Sequence, residues 1–172
     1  MQYTEQNFNL PPLDGFSEKL VSDHLKLYSG YVKNANLLAG QTDPELRRRF
    51  AFEWNGMRLH EYYFEALGGG SALSAESPIG THIETIKKMG MTRGIGWVLL
   101  LLLPKTGGLE TVWVSDHEIG HLAGCPVILA MDVWEHAYVG DFGPAGRKDY
   151  IEVFFKNLKW STIEERFKNA RA

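Results

Sequence analysis

The sequence predicts an α+β fold: an N-terminal α-helical hairpin packed on a small C-terminal lobe with a three-stranded antiparallel sheet and helices. Two observations carry that prediction. Up to Leu67 the apolar side chains recur at helical spacing, whereas from Gly96 onward short runs rich in Val, Trp and Leu are each bounded by Gly or Pro. A glycine run, Gly68 to Gly70, falls where the pattern changes, so the chain divides into an N-terminal lobe, residues 1–72, and a C-terminal lobe, residues 73–172.

The first helix is expected from Gly15 to about Asn36, with Leu20, His24, Leu27, Tyr28 and Tyr31 on one face. The second runs from Glu45 to Leu67. Asp43 followed by Pro44 marks its start, because the aspartate caps free amides and proline fits the first turn. A third helix is expected over Ile79 to Lys88. Three strands follow at Gly96 to Leu103, Glu110 to Val114 and Pro126 to Met131, and helices at Arg147 to Asn157 and Thr162 to Ala170 close the chain.

At 172 residues, 44% hydrophobic and 23% charged, the chain has the apolar content of a globular unit, and disorder is not the default reading. The formal charge of -3 supplies no global basic field, so no nucleic-acid partner is expected. The longest apolar run, Val98 to Leu103, is far short of the roughly 20 residues that span a bilayer, so no membrane role is expected either. Cys125 is the only cysteine, which rules out an intrachain disulfide and a four-cysteine metal site and suits a reducing compartment. Met1 to Leu13 is polar and lacks the basic-then-apolar layout of a secretory signal. A cytoplasmic location is the expectation.

Of the six histidines, four sit among apolar or aromatic neighbours: His24, His60, His117 and His136. One such histidine alone is more often a hydrogen-bonded core residue than a ligand. The densest cluster is Asp132-Val133-Trp134-Glu135-His136-Ala137-Tyr138, directly after the last expected strand. In a continuing strand Asp132 and His136 would stand about 13 Å apart, too far to share an ion; a turn at Val133 lets them converge. A carboxylate with an imidazole suits iron, manganese or zinc, and the aromatic neighbours would exclude water.

That heptad resembles the signature of the iron/manganese superoxide dismutase family. The likeness extends, in order, to Leu10-Pro11-Pro12-Leu13, to Tyr31-Val32-Lys33-Asn34-Ala35-Asn36, to Gly94-Ile95-Gly96-Trp97 and to Arg147-Lys148-Asp149-Tyr150. It implies an oxidoreductase that converts superoxide to oxygen and hydrogen peroxide at one iron or manganese ion per chain, iron being favoured. The implied ligands are His24, His60, Asp132 and His136. Tyr31 is implied as the gateway tyrosine, Trp97 and Trp134 as hydrophobic walls, and Glu135 as the group that reaches a ligand histidine of a second subunit in a homodimer or higher homo-oligomer.

Some positions depart from the family pattern. One residue fewer separates His24 from Tyr31 than the family spacing requires, so strict counting puts Asp23 at the ligand position; His24 is preferred, since losing one residue can remove a π-type bulge. The family's histidine between ligand and gateway is replaced by Leu27 or Tyr28, and its second tyrosine after His-Ala-Tyr by Val139. Where family members carry a glutamine against the metal-bound solvent, this chain has Gly56 on the helix and His117 in the sheet lobe, and the resemblance implies that His117 fills the room left at Gly56 and hydrogen-bonds that solvent, the alternative being that it merely packs in a loop.

Two rival readings stand beside this one. His117-Glu118-Ile119-Gly120-His121 spells a zinc metalloprotease motif, which works only on a helix, where both histidines share a face; here it follows a strand-like run and contains a glycine. The other rival is a non-catalytic binding module on a dismutase fold.

Overall fold

The computed structural model describes residues 2–171, and the predicted α+β architecture is present. Helix α1, Glu18–Leu38, starts where the Ser17 hydroxyl accepts from the Leu20 amide, and it buries Leu20, His24, Tyr28, Val32 and Ala35. Their spacing of three or four residues is one face of a helix. Helix α2, Pro44–Glu65, is capped by the Asp43 carboxylate, which accepts from the Glu45 and Leu46 amides as the Asp-Pro pair foretells. The two helices form a hairpin.

After α2 the glycine run doubles back on the C-terminal part of the chain. Gly68, Gly69 and Gly70 all have positive φ, and the amides of Gly68 and Gly69 donate to the Asn157 carbonyl. The expected third helix begins as a 3-10 turn, Pro78–His82, before becoming α3, Ile83–Gly90. Strands β1, Gly96–Leu102, β2, Leu109–Ser115, and β3, Val127–Asp132, form one antiparallel sheet in the order β2-β1-β3. As the central strand, β1 is buried throughout, which is why it reads as an unbroken apolar run and not as an alternation. Gly96 is obligatory there: its φ is 145°, and a Cβ would stand 2.0 Å from the Val114 carbonyl oxygen.

Beyond β3 lie elements too short for a periodicity to reveal, a 3-10 turn, Glu135–Ala137, and the single-turn α4, Val139–Phe142. Helices α5, Arg147–Lys156, and α6, Trp160–Ala170, follow. One hydrophobic core runs through both parts of the chain, joining Tyr28, Met57 and Phe64 of the hairpin to Trp97, Leu129 and Phe154. Among the described residues no helix is long and apolar enough to cross a membrane.

Candidate metal centre

Register carries Asp132 to its place. It ends β3 opposite Trp97, and the next amide, Val133, still donates to the Gly96 carbonyl. The strand then stops because one carboxylate oxygen of Asp132, Oδ1, accepts from the Trp134 amide at 2.8 Å and bends the chain into the 3-10 turn. That bend brings His136 back, with Nε2 3.0 Å from the other oxygen, Oδ2. His24 reaches the same Oδ2 from α1 at 3.1 Å, and His60 from α2 at 3.6 Å. Three imidazoles and a carboxylate from three separate stretches of chain thus offer donor atoms within 4.8 Å of one another, three of the residues buried and His136 partly exposed.

The residues fit a metal cation, and His60 shows why. Its Nδ1 lies 2.6 Å from the Gly56 carbonyl, which only accepts, so the proton is on Nδ1 and Nε2 carries a bare lone pair. That Nε2 is buried without a hydrogen-bond partner among the described residues, facing a carboxylate oxygen. Two electron-rich atoms face to face in a dry site call for a cation between them. The spacing agrees, because two donors each about 2.1 Å from one ion stand about 3.0 to 3.6 Å apart at angles of about 90 to 120°.

Protonation is set the same way. Burial works to raise the Asp132 carboxyl, but His136 and His24 outweigh it and hold it below the usual carboxylate range. Burial pushes His24 below its ordinary value despite Asp132, and it pushes His60 further, with His24 adding to the effect. An ionised carboxylate beside neutral imidazoles is the state in which such groups bind metal.

Asp23, the alternative ligand by strict counting, instead faces solvent and pairs with Lys19 and Lys26. Helix α1 is uninterrupted, so His24 and Tyr31, seven residues apart, lie two turns apart on one face.

Around the four donors, Tyr31 and Trp97 close on His60 with ring centroids 5.1 and 5.0 Å away. Trp134 stacks between His117 and His136, at 5.2 and 5.8 Å. Glu135 is exposed at the surface beside His136. His117 is fully buried and uses both ring nitrogens within the chain, Nδ1 with Trp97 and Nε2 with the Tyr31 hydroxyl. The space over Gly56 is taken first by Tyr31: the three atoms nearest to a Cβ built there all belong to that ring.

Sequence reasoning missed several supports. Asn55 donates to the His117 carbonyl at 2.7 Å, Phe52 packs on the His117 ring at 4.7 Å, and Tyr150 donates to the Asp132 carbonyl at 2.5 Å. Phe52 and Asn55 stand on α2 just before Gly56, but nothing in their residue types announces the contacts.

The protease motif fails on geometry. His117 to His121 lies in a turn after β2, where Ser115 pairs with Ile119, and not on a helix. His117 is buried while His121 is largely exposed and donates from Nε2 to the His117 carbonyl at 3.0 Å, so the two rings share no ion site.

A helical hairpin and an antiparallel sheet that converge on one buried set of three imidazoles and a carboxylate define a protein built around a single metal ion. Residues 79–166 match the model of the C-terminal domain of iron/manganese superoxide dismutases. The chain is 34% identical over 181 residues to the superoxide dismutase (Fe) of Cupriavidus metallidurans, covering 90% of each. It is 28% identical over 178 residues to that of Methanothermobacter thermautotrophicus, covering 88% of this chain and 86% of the relative. A superoxide dismutase (Mn) of Haloarcula marismortui is 43% identical over a shorter 75 residues, 44% of this chain and 36% of the relative. The chain belongs to the iron/manganese superoxide dismutase family.

Proposed function

We propose that this chain is a superoxide dismutase whose metal is held by His24, His60, Asp132 and His136. The observation that carries the reading is the Nε2 of His60, without a hydrogen-bond partner among the described residues and facing the Asp132 carboxylate within a group of four donors. The chemistry that a bound iron or manganese ion supplies is one-electron exchange between its divalent and trivalent states.

The chain's own groups account for the rest. Three neutral imidazole positions with one carboxylate suit both oxidation states, so the ligand set need not change between half-reactions. Two superoxide ions and two protons become one dioxygen and one hydrogen peroxide, so protons must reach the pocket. The Tyr31 hydroxyl is positioned to hand one over, and burial, with Asp132 and Glu53 adding, holds its pKa above the ordinary tyrosine value, which keeps it protonated at neutral pH. Trp97, Trp134 and Phe52 wall the pocket with apolar surface and keep bulk water from it.

Iron is the metal we favour, since full-length relatives such as those above are named for iron. We further propose a homodimer or higher homo-oligomer in the cytoplasm, with Glu135 reaching a ligand histidine of a second subunit; its exposure beside His136 supports that reading. The test is elemental analysis of the purified chain together with superoxide removal after reconstitution with each metal. About one iron or manganese per chain is expected, with His60→Ala losing metal and activity together. Robust superoxide removal by metal-free protein would overturn the reading.

A further inference from the structure

Asp132 faces Trp97 across β3 and β1, yet the hydrogen bond at that level is made by their neighbours, from the Val133 amide to the Gly96 carbonyl. In an antiparallel ladder such a pair turns its own peptide groups away from the partner strand. Since β3 stands at the edge of the sheet, no strand among the described residues lies on the side to which the Asp132 carbonyl points. Asp132 is completely buried, and a buried carbonyl needs a donor. Tyr150 of α5 supplies it, with its hydroxyl 2.5 Å away. A carbonyl only accepts, so the tyrosine donates.

Arg147 stands one turn before Tyr150 on the same face of α5. Its guanidinium donates to the next carbonyl, that of Val133, at 3.2 Å, and to those of Gly94 and Thr92 at 2.8 and 2.9 Å. One helix face thus holds both peptides at which β3 gives way to the turn that carries His136. Tyr150 has little room to shift: it is completely buried, with the rings of Phe16, Tyr138 and Phe142 around it at 6.0, 5.6 and 6.2 Å.

We infer that the first turn of α5 is a positioning clamp for the metal centre: Tyr150 fixes the Asp132 peptide and Arg147 the Val133 peptide, so that the Asp132 carboxylate is aimed at the three histidines. Neither residue belongs to the four donors, and both act through the backbone of Asp132 and its neighbour. The carboxylate hangs from the clamped peptide, and its Oδ1 is already committed to the Trp134 amide. A swing of that peptide would carry Oδ2 away from His24, His60 and His136. The clamp rests on the reading of these four residues as metal ligands and names what aims one of them.

Tyr150→Phe keeps the ring and removes the single O–H. Metal affinity of the full chain is read by competition between the protein and a chelator for manganese, and the electron paramagnetic resonance spectrum of the iron(III) form reads the geometry of the ligand set. Ile79→Val, a buried change in the 3-10 turn before α3, serves as a variant that loses stability alone. Tyr150→Phe is expected to bind manganese about 10-fold or more weakly than wild type and to shift the iron(III) spectrum. Ile79→Val is expected to match wild type in both. Arg147→Lys, which keeps the charge but replaces the fork of donors by one amine, is expected to move both readings in the same direction by less. Wild-type affinity and spectrum in either clamp variant would overturn the inference, and the lysine variant decides it if the phenylalanine variant does not fold. An equal loss of affinity in Ile79→Val would also overturn it, because affinity would then merely follow stability. If Tyr150→Phe loosens the metal but the wild-type chain removes no superoxide, the dismutase reading falls and the clamp stands. If the wild-type chain removes superoxide and Tyr150→Phe holds metal as tightly as it does, the clamp falls and the dismutase reading stands.

Discussion

The ring of Tyr31 lies where a side chain on Gly56 would have to go: a Cβ at position 56 would stand 2.7 Å from Cδ1 of Tyr31. No carbon pair tolerates that distance, and the backbone beneath is an α2 helix turn that also supplies the carbonyl accepting from His60. Gly56→Ala is therefore expected to push Tyr31 off its seat, break its bond to His117 and destabilise the fold by about 1 to 3 kcal/mol as an overpacking change. Turnover should fall with metal content unchanged, because none of the four donors moves. Elemental analysis beside superoxide assays checks this; an alanine variant with wild-type stability and turnover would show that the ring moves aside without cost.

Metal binding is expected to stabilise the fold, since the four donors come from α1, α2, β3 and the turn after it, and one ion would tie them together. With free metal at about 100 times its dissociation constant, the gain is about 2.7 kcal/mol, or roughly 5 to 10 °C in melting temperature for a chain of this size. A chelator should reverse the shift. His60→Ala should show none of it, and a variant that still shifts on adding iron or manganese would remove His60 from the ligand set.

Much of the fold was legible because local signals agreed with the tertiary result. Asp43-Pro44 starts α2 as expected, and the apolar run of β1 is the sheet's buried centre. Helix ends moved by up to four residues, since Gly15 gives way to the Ser17 cap and the first five residues from Pro78 wind as a 3-10 turn before α3 starts at Ile83. The four donors were found through a family likeness; their sequence spacing alone leaves open where α1 and α2 point relative to β3. What stayed hidden was the use of His117. A residue type shows that an imidazole is present, but only the fold shows that Trp97 and Tyr31 take up both of its nitrogens.

Because His121 is not one of the four donors and its ring hydrogen-bonds to the His117 carbonyl, His121→Ala is expected to leave metal content at the wild-type level. The lost hydrogen bond should cost about 1 kcal/mol or less at so exposed a site. No cleavage of an unfolded protein substrate is expected from either form, with or without added zinc. A zinc-dependent protease activity lost in His121→Ala would revive the reading that the turn geometry rejects.

His117 also gives the fold a pH dependence with a definite sign. Burial pushes its pKa from the ordinary 6.5 down to about 4. Between about 6.5 and about 4 the unfolded chain holds a proton at this position that the folded chain does not, so stability falls as the pH is lowered through that window. Above about 6.5 both states are neutral and the contribution is flat. From about pH 7 to about pH 5 the loss traceable to this one group approaches about 2 kcal/mol. Burial lowers His24 and His60 as well, so the wild-type slope alone does not identify the group. The difference between wild type and His117→Gln does, because glutamine binds no proton. Urea unfolding of the metal-free proteins at both pH values should give a loss about 2 kcal/mol smaller in the variant; equal losses would mean that His117 is protonated as readily in the fold as outside it.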